Sequence, residues 1–164
     1  PFGNMRELMQ GVLDSFARHA PTDAALVVKN HPLDPGLARH GRVLRRMARR
    51  SGLEDRVFYM ETGQLPRLLR RAAGVVTVNS TVGSLALEAG LPLMVLGRAL
   101  YAQPGLVHDG DLDSFWTAGL PPDAQRFRRL RQRVLAQATV NGGFYCPMGI
   151  ALAVQNSLPR LLED

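Results

Sequence analysis

Apolar positions along the chain follow two patterns: the three-and-four spacing of amphipathic helices, and short unbroken runs that suit buried strands. Met5, Leu8, Met9, Val12, Leu13 and Phe16 predict a helix over 5–19, closed by Pro21 and Asp23. A short strand over 25–29 leaves through Asn30-His31-Pro32-Leu33-Asp34-Pro35-Gly36, where two prolines and a glycine force a loop. A second helix spans 37–50, with Leu37, Leu44, Met47 and Ala48 inward and its arginines mostly outward, and it ends at Gly52. A strand over 56–60 and a short helix over 65–73 follow.

The stretch 75–90 reads most clearly. Its first four residues, Val75-Val76-Thr77-Val78, are a β-branched run suited to a buried parallel strand. Asn79, Ser80 and Thr81 are N-cap residue types, and the Ala/Leu-rich stretch behind them predicts a helix ending at Gly90. A strand running straight into a capped helix aims free N–H groups at one point, a ready phosphate site with the Ser80 and Thr81 hydroxyls beside it. An ordinary turn with Ser or Thr as cap fits the same residues. A fourth strand covers 91–96. Further on come a short helix over 111–118 capped by Asp111, an arginine-rich helix over 122–138, and a last helix over 149–162 that Pro159 interrupts.

Strands alternating with helices predict an α/β fold, a Rossmann-like parallel sheet with helices on both faces. Right-handed crossovers then place ligands outside the C-terminal strand ends, where strand order reverses. In a doubly wound order the first and third strands flank that point. Their ends carry Lys29-Asn30-His31-Pro32 and Asn79-Ser80-Thr81.

Composition narrows the class. A chain of 164 residues, 46% hydrophobic and 21% charged, suits one soluble globular domain. No apolar run approaches the roughly 20 residues of a membrane span, and no signal-peptide pattern opens the chain. The lone Cys146 cannot form an internal disulfide, which predicts a reducing, cytoplasmic setting. Pro1 in place of Met, with a helix starting almost at once, predicts a piece of a longer protein. The formal charge of +6 comes from arginine, Lys29 being the single lysine, so a compact ammonium is singled out at that position. The arginines over 39–50 and 126–133 suit an anionic membrane surface or a merely solvated face; aromatics do not interleave them, and nucleic acid is not expected.

Candidate chemistry is sparse. His31 is restrained by Pro32, and its imidazole can hydrogen-bond a phosphate, protonate a leaving oxygen, or simply close its own turn. Lys29 can supply a counter-charge or snorkel from the strand end. His108, Asp109, Asp111 and Asp113 match no metal-ligand spacing, so no metal is expected. Cys146, beside Pro147, suits packing rather than nucleophilic attack. Neither a Walker loop nor a G-x-G-x-x-G fingerprint is present.

The segments Lys29-Asn-His-Pro-Leu-Asp-Pro-Gly36, Val75-Val-Thr-Val-Asn-Ser-Thr-Val-Gly83, Leu96-Gly-Arg-Ala-Leu-Tyr101, Pro104-Gly-Leu106, Leu112-Asp-Ser-Phe-Trp116 and Asn141-Gly-Gly-Phe-Tyr145 resemble, in order, the bacterial capsule polysaccharide biosynthesis/export family. Its characterised members are β-Kdo glycosyltransferases that build the Kdo linker on a phospholipid. The resemblance covers nearly the whole chain and implies a GT-B architecture, two Rossmann-like domains with the donor held mainly by the C-terminal one. It implies that residues 1–164 are a single nucleotide-sugar-binding domain, lacking the N-terminal acceptor domain and its catalytic carboxylate.

The family is also similar to bacterial sialyltransferases, which share a CMP-sugar donor, a His-Pro motif and a Ser-Ser/Thr motif. Carried over, His31 contacts the CMP phosphate or cytidine and assists departure of CMP. Ser80 and Thr81 bind the phosphate, Asn79 shapes the turn, Gly83 belongs to the same motif, and Lys29 adds charge. One departure stands out: many GT-B enzymes have a ribose-binding Glu where this chain has Leu85, five residues before Gly90, and Glu88 lies at the wrong spacing to replace it. The resemblance thus implies the donor half of a retaining β-Kdo transferase using CMP-Kdo without metal. Its other implied partners are a glycolipid acceptor, reached through the missing domain, and the inner face of the cytoplasmic membrane. A non-catalytic nucleotide-sugar or anionic-glycan module, and a UDP-sugar transferase or epimerase, are the alternatives.

Overall fold

The computed structural model describes residues 3–30 and 40–162. The chain forms two compact units, Pro1–Ala124 and Gln125–Asp164. In the first, α1 (Met5–His19), β1 (Leu26–Lys29), α2 (His40–Arg50), β2 (Val57–Met60), α3 (Leu65–Leu69), β3 (Val75–Thr77), α4 (Thr81–Glu88), β4 (Leu93–Val95) and α5 (Leu112–Ala118) follow one another. Then come α6 (Ala124–Gln137) and α7 (Pro147–Leu162). The alternation of helix and strand read from the sequence is the α/β architecture observed.

The core grows from α1. Asn4 caps it by accepting from the Glu7 N–H at 3.0 Å, while the Glu7 carboxylate reaches back to the Asn4 amide and the Gly3 N–H. That start sets the helix phase so that Met9, Leu13 and Phe16 face Leu44, Met47 and Ala48 of α2, closed off by Leu53 and Val57. Phe16 is held from two sides. The Trp116 ring meets it edge-on at 5.2 Å, and the Arg56 guanidinium lies 4.8 Å from its centroid. Arg56 also donates to the carbonyls of Ala24 and Pro21, pinning the loop between α1 and β1. Trp116 donates its indole N–H to Ser15 at 2.8 Å, and Ser15 is only 3% exposed. These contacts dock α5 on α1. The ion pairs of Asp113 with His19 and Arg18 lie on half-exposed side chains and add little.

The strands pair differently from a single doubly wound sheet. β1 runs parallel to β2, from Leu26 opposite Val57 to Lys29 opposite Met60, and β3 runs parallel to β4, from Val75 opposite Leu93 to Thr77 opposite Val95. The two pairs are separate sheets, and β1 is not hydrogen-bonded to β3. Burial agrees with this pairing: every residue of β1 and of β3 is only half-buried, whereas the central strands of a doubly wound sheet are covered on both faces. The helix expected over 65–73 stops at Leu69.

In the second unit, Arg160 donates to the Thr139 and Ala136 carbonyls at 2.7 Å, and Asn156 to the Asn141 carbonyl at 2.8 Å. α7 runs through Pro159 instead of being interrupted. The proline deprives only the carbonyl of exposed Gln155 of its partner, and water is available there.

Trp116→Phe is expected to cost about 1–3 kcal/mol in urea unfolding, because buried Ser15 is left without its partner. Adding Ser15→Ala removes the orphaned hydroxyl, so the double variant should recover part of that loss. Simple additivity of the two changes would show that the hydrogen bond does not carry the effect.

Candidate functional site

The parallel pairing of β3 with β4 brings their C-terminal ends together, and the residues that follow each strand build the site. The Leu96 N–H donates to the Thr77 carbonyl at 2.8 Å, extending the ladder past the strands. Gly97 then packs against Val78 so closely that a β-carbon at 97 would come within 2.7 Å of the Val78 carbonyl oxygen. The chain turns and returns Tyr101 to the first turn of α4. Its buried ring occupies the space that a side chain at Gly83 would fill.

At this contact the Tyr101 hydroxyl donates to the Ser80 carbonyl at 2.5 Å and accepts from the Ser80 N–H at 3.2 Å. Burial raises the Tyr101 phenol above its ordinary pKa of 10.0, against a smaller opposite effect of the Ser80 hydrogen bond, and it stays neutral at physiological pH.

Ser80 is the N-cap of α4, extended in backbone, and its Oγ accepts from the Val82 N–H at 3.3 Å. Capping occupies an acceptor lone pair and leaves the hydroxyl proton free to donate. Asn79 and Thr81, on either side, are exposed, and among the described residues no hydrogen bond involves the side chain of either. The α4 N-terminus therefore presents Asn79, the Ser80 proton and Thr81 outward, where the helix dipole favours an anion.

Asn79, Ser80 and Thr81 thus lie together at the start of α4, while Gly83 is buried against Tyr101 and has a packing reason. Lys29 ends β1, in the other sheet. It is half-buried, and its ammonium donates to the neighbouring Asn30 carbonyl at 3.3 Å. Among the described residues no hydrogen bond or ion pair joins Lys29 to the 79–83 segment. His31 lies outside the described residues. Leu85 is 41% exposed.

The sequence names Tyr101 within a segment that carries the resemblance but gives it no role, although one signal was present. A glycine inside a helix costs about 1 kcal/mol relative to alanine, and Gly83 near the start of α4 therefore asks for a close neighbour.

His108, Ser114 and Asp111 superficially resemble a hydrolase triad. His108 Nε2 lies 3.0 Å from Ser114 Oγ, and that hydroxyl donates to Asp111 Oδ1 at 2.7 Å. The order is inverted: the serine proton goes to the carboxylate, so the imidazole must donate and cannot activate the serine. Asp111 also caps α5 through the Ser114 N–H at 2.9 Å. The Ser114 hydroxyl and then its N–H hold the Asp111 carboxyl below its usual pKa. A cap explains the cluster.

The outer face of α2 is basic. Arg42, Arg45, Arg46, Arg49 and Arg50 are exposed and line an open groove, and among the described residues no carboxylate pairs with them.

The family model described as capsule polysaccharide biosynthesis protein matches residues 1–145. The capsule polysaccharide export protein KpsS of Escherichia coli is 38% identical over 144 residues, covering 88% of this chain and 37% of the relative. The capsule polysaccharide modification proteins LipB of Neisseria meningitidis serogroups A and B are 39% identical over 145 residues, covering 88% of this chain and 35% of each relative. The chain spans about a third of the length of these relatives. No solved structure matches.

The raised Tyr101 pKa has a testable sign. The unfolded chain ionises this phenol near pH 10, while the fold holds it neutral to higher pH. Its contribution to stability is complete below that pH and is lost as pH rises through the folded value. The unfolding midpoint of the wild type should fall more steeply above about pH 10 than that of Tyr101→Phe. Parallel curves would refute the burial argument.

Proposed function

The chain belongs to the capsule polysaccharide biosynthesis protein family, and from that membership we propose that it forms the donor-binding part of a glycosyltransferase that takes CMP-Kdo. The observation that carries this reading is the start of α4, with half-buried Ser80 between exposed Asn79 and Thr81, at the C-terminal edge of β3 and β4 and within the region the family model matches. Ligands of open α/β folds bind at such edges. A CMP phosphate there meets the α4 dipole, the Ser80 proton and Thr81.

In this reading Lys29 supplies counter-charge to the phosphate and His31 assists departure of CMP, without a metal. The protein works in the cytoplasm as half of a GT-B cleft, and the general base and glycolipid acceptor belong to the other half. The word "export" in the name of the Escherichia coli relative favours a second reading, a non-catalytic module for an anionic glycan.

CMP should raise the melting temperature of the 164-residue chain. At 100 times its dissociation constant the gain is about 2.7 kcal/mol. Thr81→Ala should weaken CMP binding about tenfold and leave cytidine, which lacks the phosphate, nearly unaffected. Ser80→Ala should in addition cost about 0.5–2 kcal/mol of stability, as a lost cap. A stronger response to UDP would move the assignment to a UDP-sugar enzyme. A folded chain that answers an anionic glycan and neither nucleotide supports the second reading.

The arginine face of α2 suits peripheral attachment to an anionic membrane, at about 1 kcal/mol per arginine near the surface. Replacing Arg45, Arg46 and Arg49 by Glu should abolish co-sedimentation with phosphatidylglycerol vesicles. Unchanged sedimentation would leave α2 as a solvated face.

A further inference from the structure

We infer that Tyr101 is a positioning residue for the anion-facing end of α4, acting through Ser80. This rests on the reading of that end as the donor-phosphate site. Its ring fits only because position 83 lacks a side chain, and its hydroxyl engages both the N–H and the carbonyl of Ser80.

That double engagement has a consequence for ligand recognition. The Ser80 N–H is occupied and unavailable to a phosphate. The Ser80 carbonyl is fixed twice, by Tyr101 and by the Gly83 N–H at 2.9 Å. The Ser80 backbone is therefore a fixed pivot, and the donors left for an anion are the Asn79 amide, the Ser80 hydroxyl proton and the Thr81 N–H and hydroxyl. Their directions depend on the Ser80 backbone, because all three residues are consecutive. Gly97 supplies the second constraint: its close approach to Val78 sets where the chain leaves β4 and hence where Tyr101 returns. Tyr101 does not touch the ligand in this scheme. It sets the angle at which its neighbours do.

Tyr101→Phe keeps the ring over Gly83 and removes only the hydroxyl. In the unliganded 164-residue chain, amide exchange at Ser80 should accelerate about tenfold or more, while exchange in α1 is unchanged. CMP should bind about tenfold more weakly and cytidine within about twofold of wild type, since only the phosphate reads the positioned donors. Equal losses for CMP and cytidine, or unchanged Ser80 exchange, would overturn the inference by reducing Tyr101 to packing. A wild type that binds CMP beside a Tyr101→Phe variant that binds it equally well overturns the inference alone. A wild type that binds no CMP overturns the donor reading and the inference with it.

Discussion

A tyrosine ring can lie on the first turn of α4 only because position 83 carries no β-carbon, and the arrangement beyond β3 and β4 depends on that fit. The glycine weakens the helix by about 1 kcal/mol relative to alanine, which the contact with Tyr101 offsets. In return the loop after β4 is tied to the residue that starts α4, so two segments leaving adjacent strands become one structure. Without the contact, α4 would still be capped by the Ser80 hydroxyl and the Ser80 carbonyl would still accept from the Gly83 N–H, but nothing would tie that turn to the loop after β4.

A second set of contacts compensates for the missing continuous sheet. β1–β2 and β3–β4 share no ladder, and the first unit is joined through helices instead. Residue 108 is tied to β4 by its N–H donating to the Leu93 carbonyl at 2.8 Å, and its ring packs edge-on with Phe115 of α5. Phe115 in turn meets Trp116, and Trp116 meets Phe16 of α1, which packs against α2 and the start of β2. Aromatic edges, the Arg56 guanidinium and the Trp116–Ser15 hydrogen bond thus do in side chains what backbone pairing does in a larger sheet.

Local periodicity carried most of this fold. The 5–19 helix has the bounds its apolar spacing predicts, α2 buries Leu44, Met47 and Ala48 as expected, and Asp111 caps α5. Long-range pairing was not legible, because a β-branched run such as 75–78 looks the same whether a strand is covered on one face or two. The Asn79-Ser80-Thr81 end of α4 was legible as a pair of readings, and the cap half of that pair is seen in the Ser80–Val82 hydrogen bond. Tyr101 was not, because its partner lies 21 residues away and neither residue type signals the other. Pro159 misled for the opposite reason: its chemistry was read correctly, but an exposed helix tolerates it.

The placement of charge separates attraction from recognition. The chain carries a formal +6, while residues 79–81 offer an anion neutral donors and a helix dipole, and the single lysine lies on a strand of the other sheet. Arginines cluster on the outer face of α2 and along α6, and exposed Arg98 lies in the loop between β4 and Tyr101. Fixed neutral donors discriminate by geometry, since a misplaced oxygen gains nothing, whereas guanidinium groups on flexible stems accept any anion within reach. In the proposed reading, long-range attraction by the α2 arginines and short-range selection by Asn79, Ser80 and Thr81 would be tuned independently. Rising salt weakens the first through screening over a Debye length of about 8 Å at physiological ionic strength and barely touches the second. Under the proposed donor-binding reading, such a division would let an anionic surface hold the protein without competing for the α4 end beside Tyr101.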